Sequence, residues 1–408
     1  KLNNIPAHKR TMKKIILISL STPTFNNVRA ASALPYHLIN GAKETGNATF
    51  EVCSFNINNI DNNSIAHTES ELGIKIHLLK KPRFIDWLFK FHLLFLRFLL
   101  RYPLYAYLNI GKDLQGKIIH SNPDIIWIYG EELAKIAKQF PKRKCIVTMP
   151  DCESMYYHRL LSKRFAANNL SKIFRYAYAY SQYRRMEHDF FSENTLFHFV
   201  GKADSEFYKE INPDANSTFL RHLLYAYNDD KVIKFHQPKI KLLFAGRYDF
   251  YCRHGSDRLL NAMMKSEFIK SSYAITFLGN GWNCWNEKLT NAGWKVQHIL
   301  FAPDYIAELQ KHDIQVNAID VGTGTKGKVL DAISNGLLEI GTSYALENIA
   351  VTNNESCIIY NDVAQAISVL ENIPHNINKY EEIAERGREQ VINYHSRKTI
   401  SKELFGLN

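Results

Sequence analysis

The chain has 408 residues, of which 46% are hydrophobic and 22% charged, so it is typical of two globular domains and not of a disordered protein. The net charge is +11, and residues 1–230 hold 31 Lys+Arg against 21 Asp+Glu, which places nearly all of the excess in the first half. A basic half favours anionic partners, but the sequence has no helix-turn-helix, zinc-finger or RNP pattern, and we expect no nucleic acid partner. The six cysteines form no CxxC pair and no metal-ligand spacing, which indicates free thiols in a reducing compartment and no structural zinc.

The first half alternates between short apolar runs and amphipathic stretches. Residues 13–21 combine two lysines with an apolar run of only about seven residues and lack a cleavage site, which favours a buried strand over a signal peptide. An amphipathic helix is predicted at 28–45. Further strands are predicted at 49–57, 74–80, 123–130, 142–151 and 196–204. This alternation predicts a parallel, doubly wound sheet.

The second half repeats the pattern after a polar run at 227–237, which we interpret as the linker. Strands are predicted at 239–247, 273–281, 295–303, 314–321, 337–343 and 355–362, and helices at 256–266, 305–312, 327–336 and through 379–407. The predicted fold class is therefore α/β, with two Rossmann-like domains whose parallel sheets face each other across a cleft. We expect an acceptor-binding domain at 12–227, a donor-binding domain at 238–385 and a terminal helix at 386–408 that returns toward the first domain.

A Gly-Arg pair ends the first strand of the second half. Gly246 and Arg247 follow the run LLFA, and Arg253 lies six residues further on. Ligands of open parallel sheets bind beyond the carboxyl ends of strands, and guanidinium groups there suit the charge of a diphosphate. The alternative is that Arg247 forms a surface salt bridge.

A glycine-rich loop precedes a predicted helix at 322–336. Its glycines allow backbone N–H groups to approach phosphate oxygens at a helix N-terminus. The candidates for the diphosphate are Gly324, Thr325, Lys326 and Lys328. Asp331 lies one turn into the helix, where its carboxylate can accept hydrogen bonds from ribose hydroxyls. The alternative is a glycine loop with a solvated lysine pair, and the spacing is neither a GxGxxG fingerprint nor a Walker A loop.

The first half offers weaker candidates. Asn27 and Arg29 either contact a phosphate or the acceptor, or cap and flank the helix that follows them. Asp151 ends a strand and could orient an acceptor hydroxyl, and it is the first candidate base if the reaction inverts configuration. Glu131 and Glu132 also follow a strand, whereas His158 and His198 are interpreted as structural.

Residues 83–108 form an aromatic segment with cationic residues spaced through it. It is too charged for a transmembrane helix, but aromatic anchors with cationic side chains are typical of helices that lie at a membrane interface. The predicted membrane-contact residues are Trp87, Phe91, Phe95, Arg97 and Arg101. The alternative is a long helix packed in the core of the first domain.

Several segments resemble retaining, family-4 GT-B glycosyltransferases. GRYDFYCRHGSDRLLNAM is similar to the opening of that family's donor domain, and KVLDAISNG resembles part of its second acidic motif. YRRMEHDFFSENTLFHFVGKADSEFY resembles the segment that closes the first domain, and YEEIAERGREQVINYHS resembles the terminal helices. The resemblance covers most of the chain from about residue 183. The residues before it match the family only in the alternation of predicted strands and helices.

The resemblance implies a retaining hexosyltransferase-like enzyme that needs no divalent metal and no cofactor besides its nucleotide-diphosphate sugar substrate, with UDP or GDP left open. Arg247 and Arg253 would bind the diphosphate, and Asp331 would take the place of the second glutamate of the Glu-x7-Glu motif and hold the ribose. The first glutamate, which contacts the donor sugar, is replaced by Thr323, so the loop backbone at 323–325 would make that contact.

Together these features predict a sugar transferase of bacterial surface polysaccharide, capsule or lipopolysaccharide synthesis. Its acceptor would be lipid-linked or an oligosaccharide, and it would be cytoplasmic, peripheral to the anionic inner face of the cell membrane. Two alternatives remain: a sugar-nucleotide 2-epimerase with the same fold, and a non-catalytic membrane or polysaccharide adaptor.

Overall fold

A computed structural model describes residues 12–25, 30–162 and 169–407. The chain divides into two compact units, one formed by Lys1–Leu223 with Arg397–Asn408 and the other by Leu224–Ser396. Each unit contains one sheet with helices, and every strand pairing within the two sheets is parallel. The predicted α/β class with two parallel sheets is therefore confirmed.

The sheet of the first unit has seven strands in the order β3-β2-β1-β4-β5-β6-β7. Their bounds are β1 Lys13–Ser19, β2 Ala48–Ser54, β3 Lys75–Leu78, β4 Ile125–Tyr129, β5 Cys145–Met149, β6 Thr195–Phe199 and β7 Ser217–Phe219. All five residues of β4 and of β5 are buried, as expected for central strands covered on both faces. The strand order reverses between β1 and β4, which makes this pair the topological switch point of the first sheet.

Eight helices belong to the described part of the first unit. They are α1 Ala30–Lys43, α2 Asn62–Leu72, α3 Arg83–Lys90, α4 Lys112–His120, α5 Glu153–Ser162, α6 Leu170–Asp189, α7 Lys202–Ile211 and α15 Arg397–Phe405. Helices of the 3₁₀ type span Leu94–Leu99, Leu104–Tyr107 and Glu131–Gln139. Residues 202–204 begin α7, so the strand predicted at 196–204 was too long, because Gly201 takes the place before a new helix.

The sheet of the second unit has six strands in the order β10-β9-β8-β11-β12-β13. Their bounds are β8 Ile240–Ala245, β9 Tyr273–Leu278, β10 Val296–Ile299, β11 Ile314–Asn317, β12 Leu338–Gly341 and β13 Ile358–Ile359. The switch point of this sheet lies between β8 and β11. Both strands lead directly into segments that the sequence singled out.

The helices of the second unit complete a doubly wound domain. They are α8 Arg253–Met263, α9 Glu267–Ser272, α10 Asn283–Asn291, α11 Tyr305–Leu309, α12 Gly327–Ser334, α13 Val363–Asn372 and α14 Ile377–Tyr394. The run 227–237, interpreted from its polarity as a linker, lies against this unit: Phe235 is buried in its core, and Glu381 of α14 accepts hydrogen bonds from the backbone N–H of Phe235 and the ammonium of Lys234. A polar run can therefore be packed when charged partners are supplied from distant helices.

Candidate functional site

The turn after β8 is held in place by backbone hydrogen bonds. Gly246 has a φ of 100°, and its carbonyl accepts a 2.8 Å hydrogen bond from the indole of Trp282. A side chain at this position would be strained, and it would also meet the ammonium of Lys328. The next residue, Arg247, is exposed and makes no ion pair with any residue that the structure describes. The turn thus presents a free guanidinium at the carboxyl end of β8.

Arg253 begins α8 on the same edge of the sheet. Its guanidinium lies 5.2 Å from the centre of the Tyr248 ring, an arrangement typical of a cation–π contact. Tyr248 and Trp285 in turn both donate hydrogen bonds to Asp257, which fixes the aromatic ring that Arg253 covers. Arg253 itself remains exposed and has no ion-pair partner in the described ranges.

The loop after β11 has two glycines with positive φ, 155° at Gly322 and 62° at Gly324. The ammonium of Lys326 folds back onto this loop and donates to the carbonyls of Thr323 (2.7 Å) and Gly324 (2.9 Å). Lys326 therefore stabilises the loop that was predicted to bind phosphate. Thr325 lies between these residues and is half-buried.

Lys328 connects the two loops at the switch point. Its ammonium reaches from the first turn of α12 to the carbonyl of Ala245, 2.9 Å away, at the end of β8. Burial lowers the pKa of Lys328, while Cys252, Glu339 and Asp249 oppose that shift by favouring its charged form. The two candidate segments, about eighty residues apart in sequence, are thus joined by a single side chain.

Asp331 lies one turn into α12 and is partly exposed. Burial raises the pKa of Asp331 to about 7, and Tyr225 and Tyr305 are close enough for its charge to raise their own pKa values. Within the described residues, its carboxyl oxygens receive no hydrogen bond. This carboxyl is therefore available to a ligand, and its ribose-binding role stays a prediction.

A buried polar group beneath α12 was missed at the level of sequence. Glu339 on β12 accepts hydrogen bonds from Asn317 (2.7 Å) and Gln315 (3.3 Å) on β11, and Gln315 also donates to the backbone carbonyl of Lys328. Burial raises the pKa of Glu339, whereas these amides and Lys328 lower it. The sequence pattern that could have revealed this group is the presence of polar residues, Gln315, Asn317 and Glu339, within two otherwise apolar strands.

In the first unit, Asp151 follows β5 and is half-buried. Glu131 and Glu132 follow β4, and Glu153 begins α5, so four carboxyl groups gather at the carboxyl ends of two adjacent strands. Asn27 and Arg29 lie outside the described residues. His198 is buried, and burial lowers its pKa to about 4, while His158 lies beside the rings of Tyr180 and Phe207.

The aromatic segment is not one long helix, as either sequence interpretation had assumed. It divides into α3 and two 3₁₀ helices, because His92 adopts a positive φ of 55° and Pro103 cannot continue a helix. Exposed fractions are 50% for Trp87, 52% for Phe91 and 61% for Phe95. Arg97 is exposed, whereas Arg101 forms a 2.8 Å ion pair with Asp189 of α6. The exposed rings exclude burial of the whole segment in the core.

No protein-family profile matches the chain, and no curated protein sequence matches it. Its structure is similar to HepE of Anabaena in complex with UDP, with a TM-score of 0.60 at 12% identity over 96% of this chain and 98% of that one. The chain has the GT-B fold. A glycosyltransferase from Rickettsia africae gives a TM-score of 0.62 at 15% identity, over 97% of this chain and 100% of that one.

WaaG, described as a glycosyltransferase involved in lipopolysaccharide biosynthesis, gives a TM-score of 0.54 at 12% identity, over 96% of this chain and 100% of that one. At these identities the likeness establishes the GT-B fold and leaves the site to be argued from the residues. Among the described residues, no helix is long and apolar enough to cross a membrane. The same residues contain no group of three His, Cys, Asp or Glu side chains that could hold a metal ion.

Proposed function

We propose that the protein is a glycosyltransferase that transfers a sugar from a nucleotide-diphosphate sugar to a saccharide or lipid-linked acceptor. The observation that carries the proposal is the meeting of the 246–253 and 322–331 segments at the switch point of the second sheet, with Lys328 joining them. Ligands of doubly wound sheets bind at this place. HepE, which has the same fold, is described in complex with UDP and with UDP-glucose, which favours UDP as the first nucleotide to test.

The chain's own residues have distinct roles in the two units. Arg247 and Arg253 bind the diphosphate, because they are the exposed cations of the site that no described carboxylate neutralises. The carboxyl of Asp331 accepts hydrogen bonds from the ribose, and the loop backbone at 323–325 contacts the donor sugar. Asp151 orients the acceptor hydroxyl. The retaining, metal-independent course follows from the family resemblance and forms part of the proposal.

The proposal is tested by titrating the protein with UDP and GDP in a calorimeter and then incubating it with UDP-sugars and GDP-sugars. We expect one nucleotide to bind and the matching nucleotide sugar to be cleaved slowly to the free nucleotide. An epimerised nucleotide sugar would instead identify an isomerase. If neither nucleotide binds, the protein has the GT-B fold but no nucleotide-sugar donor site, and the proposal is refuted.

We further propose that the first unit binds an anionic membrane surface, on the side where a lipid-linked acceptor of surface polysaccharide or lipopolysaccharide synthesis is presented. The support is the exposure of Trp87, Phe91 and Phe95 together with the cations Lys90 and Arg97, which lie over the rings of Phe91 and Phe98. Aromatic side chains enter the interface, and each Lys or Arg near an anionic surface contributes about 1 kcal/mol. On this proposal the enzyme acts at the cytoplasmic face of the cell membrane.

Membrane binding is tested by sedimentation with vesicles of neutral and anionic phospholipid at low and high salt. Replacing Trp87, Phe91 and Phe95 together with serine should abolish sedimentation and leave nucleotide affinity unchanged, because the nucleotide site lies in the other unit. Tyr394→Ser is a matched control, since this ring is 64% exposed and lies on α14. Salt-insensitive binding, or binding that survives the triple replacement, would contradict the proposal.

A further inference from the structure

A group of acidic and tyrosine side chains occupies the switch point of the first sheet. Glu131 and Glu132 follow β4 directly, where the backbone of Tyr129 also meets that of Leu20 at the end of β1. Glu153 begins α5, just beyond the neighbouring strand β5. Ligands of doubly wound sheets bind beyond the carboxyl ends of strands at such a point. We call these three glutamates, with Tyr157 and Tyr183, the carboxyl–tyrosine cluster.

Two further carboxylates nearby have structural partners. Glu187 accepts hydrogen bonds from the backbone N–H and the hydroxyl of Ser154, and Asp204 accepts a 2.8 Å hydrogen bond from the backbone N–H of Cys152. Both therefore cap the N-terminus of α5, where negative charge is favourable. Their role is explained by the fold alone.

The three glutamates of the cluster have no such explanation. Glu131 is 5% exposed, and neither of its carboxyl oxygens accepts a hydrogen bond within the described ranges. Glu132 and Glu153 are partly exposed, and none of the three forms an ion pair with a described residue. A buried carboxyl without a partner is costly and rare in folded proteins, and it indicates a group reserved for a ligand.

Carboxylates are the main charged neighbours of Glu131 and Glu153. Burial and then the charges of Glu187, Glu153 and Glu132 raise the pKa of Glu131, while the backbone of Glu153 lowers it. Burial, followed by Asp151, Glu132, Glu187 and Asp204, raises the pKa of Glu153 to about 8. Arg184 favours ionisation of the neighbouring Glu187. The raised pKa of Glu153 means that this carboxyl holds its proton more tightly than a solvent-exposed glutamate does, and a bound cation would favour its release.

Two stacked tyrosines border the glutamates. The rings of Tyr157 and Tyr183 are 5.5 Å apart at 23°, and both are partly exposed. Glu132, Glu153 and Glu131 all raise the pKa of Tyr183, which places its phenol beside them. Aromatic faces attract cations and also stack on sugar rings.

We propose that the carboxyl–tyrosine cluster binds a primary ammonium group carried by the saccharide acceptor, so that the acceptor is an amine-bearing sugar or glycoside. This inference rests on the proposed transferase function and names the acceptor's chemistry. An ammonium can be held by hydrogen bonds to two or three carboxylates without the ligand geometry that a metal ion requires, and no metal-holding group exists among the described residues. Because a bound ammonium favours the ionised form of Glu153, binding releases protons and affinity rises with pH.

The test uses the full chain saturated with UDP and two probes, aminoethyl glucoside and its neutral analogue hydroxyethyl glucoside. The amine of the first probe is aliphatic and stays charged through pH 8.5. Titration in buffers free of amines should show the amino probe binding roughly tenfold more tightly than the neutral one. Its affinity should increase from pH 6.5 to pH 8.5, and protons should be released on binding.

The matched variants are Glu153→Gln and Glu132→Gln, compared with Glu206→Gln. Glu206 lies on α7 in the same unit, is exposed and, among the described residues, pairs with Lys202 alone at 3.8 Å, so the control changes charge without touching the cluster. Glu153→Gln and Glu132→Gln should each remove the preference for the amino probe, and the control should keep it. UDP affinity should stay unchanged in all three, which separates this inference from the proposed transferase function.

The proposal is overturned if the two probes bind equally, which would indicate recognition of hydroxyl groups. The proposal is also overturned if neither probe binds to the UDP-saturated protein. It is overturned as well if binding of the amino probe is independent of pH. If a glutamine variant fails to fold, the pH dependence and proton release of the unmodified protein still decide the question.

Discussion

At the scale of single residues, the cations of the proposed donor site are of two kinds. Lys326 and Lys328 donate to backbone carbonyls and hold the loops together, whereas Arg247 and Arg253 project from the strand end without an acidic partner among the described residues. A cation that is already bonded within the protein loses those bonds when it turns to a ligand. The two arginines should therefore contribute most of the affinity for a diphosphate.

Replacing Arg247 with alanine should weaken UDP binding by roughly tenfold or more, because a charge-assisted hydrogen bond contributes about 1.5–3 kcal/mol. Calorimetric titration measures the effect. Arg386→Ala is the control, since this arginine is exposed on α14 and bonded to Glu382 and to the carbonyl of Glu355. Equal affinities of the Arg247 variant and the unmodified protein would remove Arg247 from the site.

Asp331 should make nucleotide binding dependent on pH. Burial raises its pKa to about 7, and the ionised carboxylate is the better acceptor for two ribose hydroxyls, so affinity should rise from pH 6 to pH 8. In Asp331→Asn this rise should be lost, and only the smaller change from ionisation of the terminal phosphate of UDP should remain. Parallel pH profiles for the two proteins would contradict the ribose assignment.

At the scale of elements, two carboxylates stabilise the start of helix α5. Glu187 of α6 and Asp204 of α7 supply acceptors for N–H groups at the start of α5, which the helix itself cannot satisfy. Helix α5 is thereby fixed against two other helices at its N-terminus. Sequence patterns do not show this, because the capping side chains come from elsewhere in the chain.

Replacing Glu187 with alanine should destabilise the first unit by about 1–3 kcal/mol, since the buried N–H and hydroxyl of Ser154 would lose their acceptor. Urea denaturation of the two proteins gives the difference in the free energy of unfolding. Glu193→Ala serves as the comparison, because this glutamate is exposed and should change stability little. A difference between the two variants close to zero would show that water replaces the cap.

At the scale of the whole molecule, the chain leaves its first unit at Leu223 and returns to it at Arg397. Helix α15 packs on α1, and the ring of Phe405 lies 5.5 Å from Phe50 and 5.0 Å from Trp127. Phe405 is fully buried. The last residues are therefore part of the core of the first unit.

Phe405→Ala should lower the free energy of unfolding of the first unit by about 3–5 kcal/mol, because it leaves a cavity beneath β1, β2 and β4. Its UDP affinity should be unchanged at temperatures where the protein is folded. Phe301→Ala, which alters a 76% exposed ring in the second unit, should have little effect on stability. Thermal and urea unfolding would show whether the loss is this large, and a loss below about 1 kcal/mol would mean that α15 is only loosely attached.

The sequence predicted the fold class because buried parallel strands require local apolar runs, and those of β1, β4, β5, β8 and β9 were found close to their actual bounds. It also identified the segments around Arg247 and Asp331, since glycines at strand ends reflect local backbone needs. It overestimated the strand before α7 and missed the short strand β7, which has only three residues. Such elements depend on pairing with a neighbour more than on their own residues.

The sequence by itself therefore determined the two parallel α/β sheets and the residue types at the proposed donor site. Only the tertiary structure decided that Lys328 reaches Ala245, that Lys326 folds onto its own loop, and that the rings at 87–95 are exposed. It also decided that Glu131, Glu132 and Glu153 meet at one switch point. The physical reason is that local patterns set which backbone conformation a segment adopts, whereas contacts, burial and pKa values depend on strand order, which brings distant residues together.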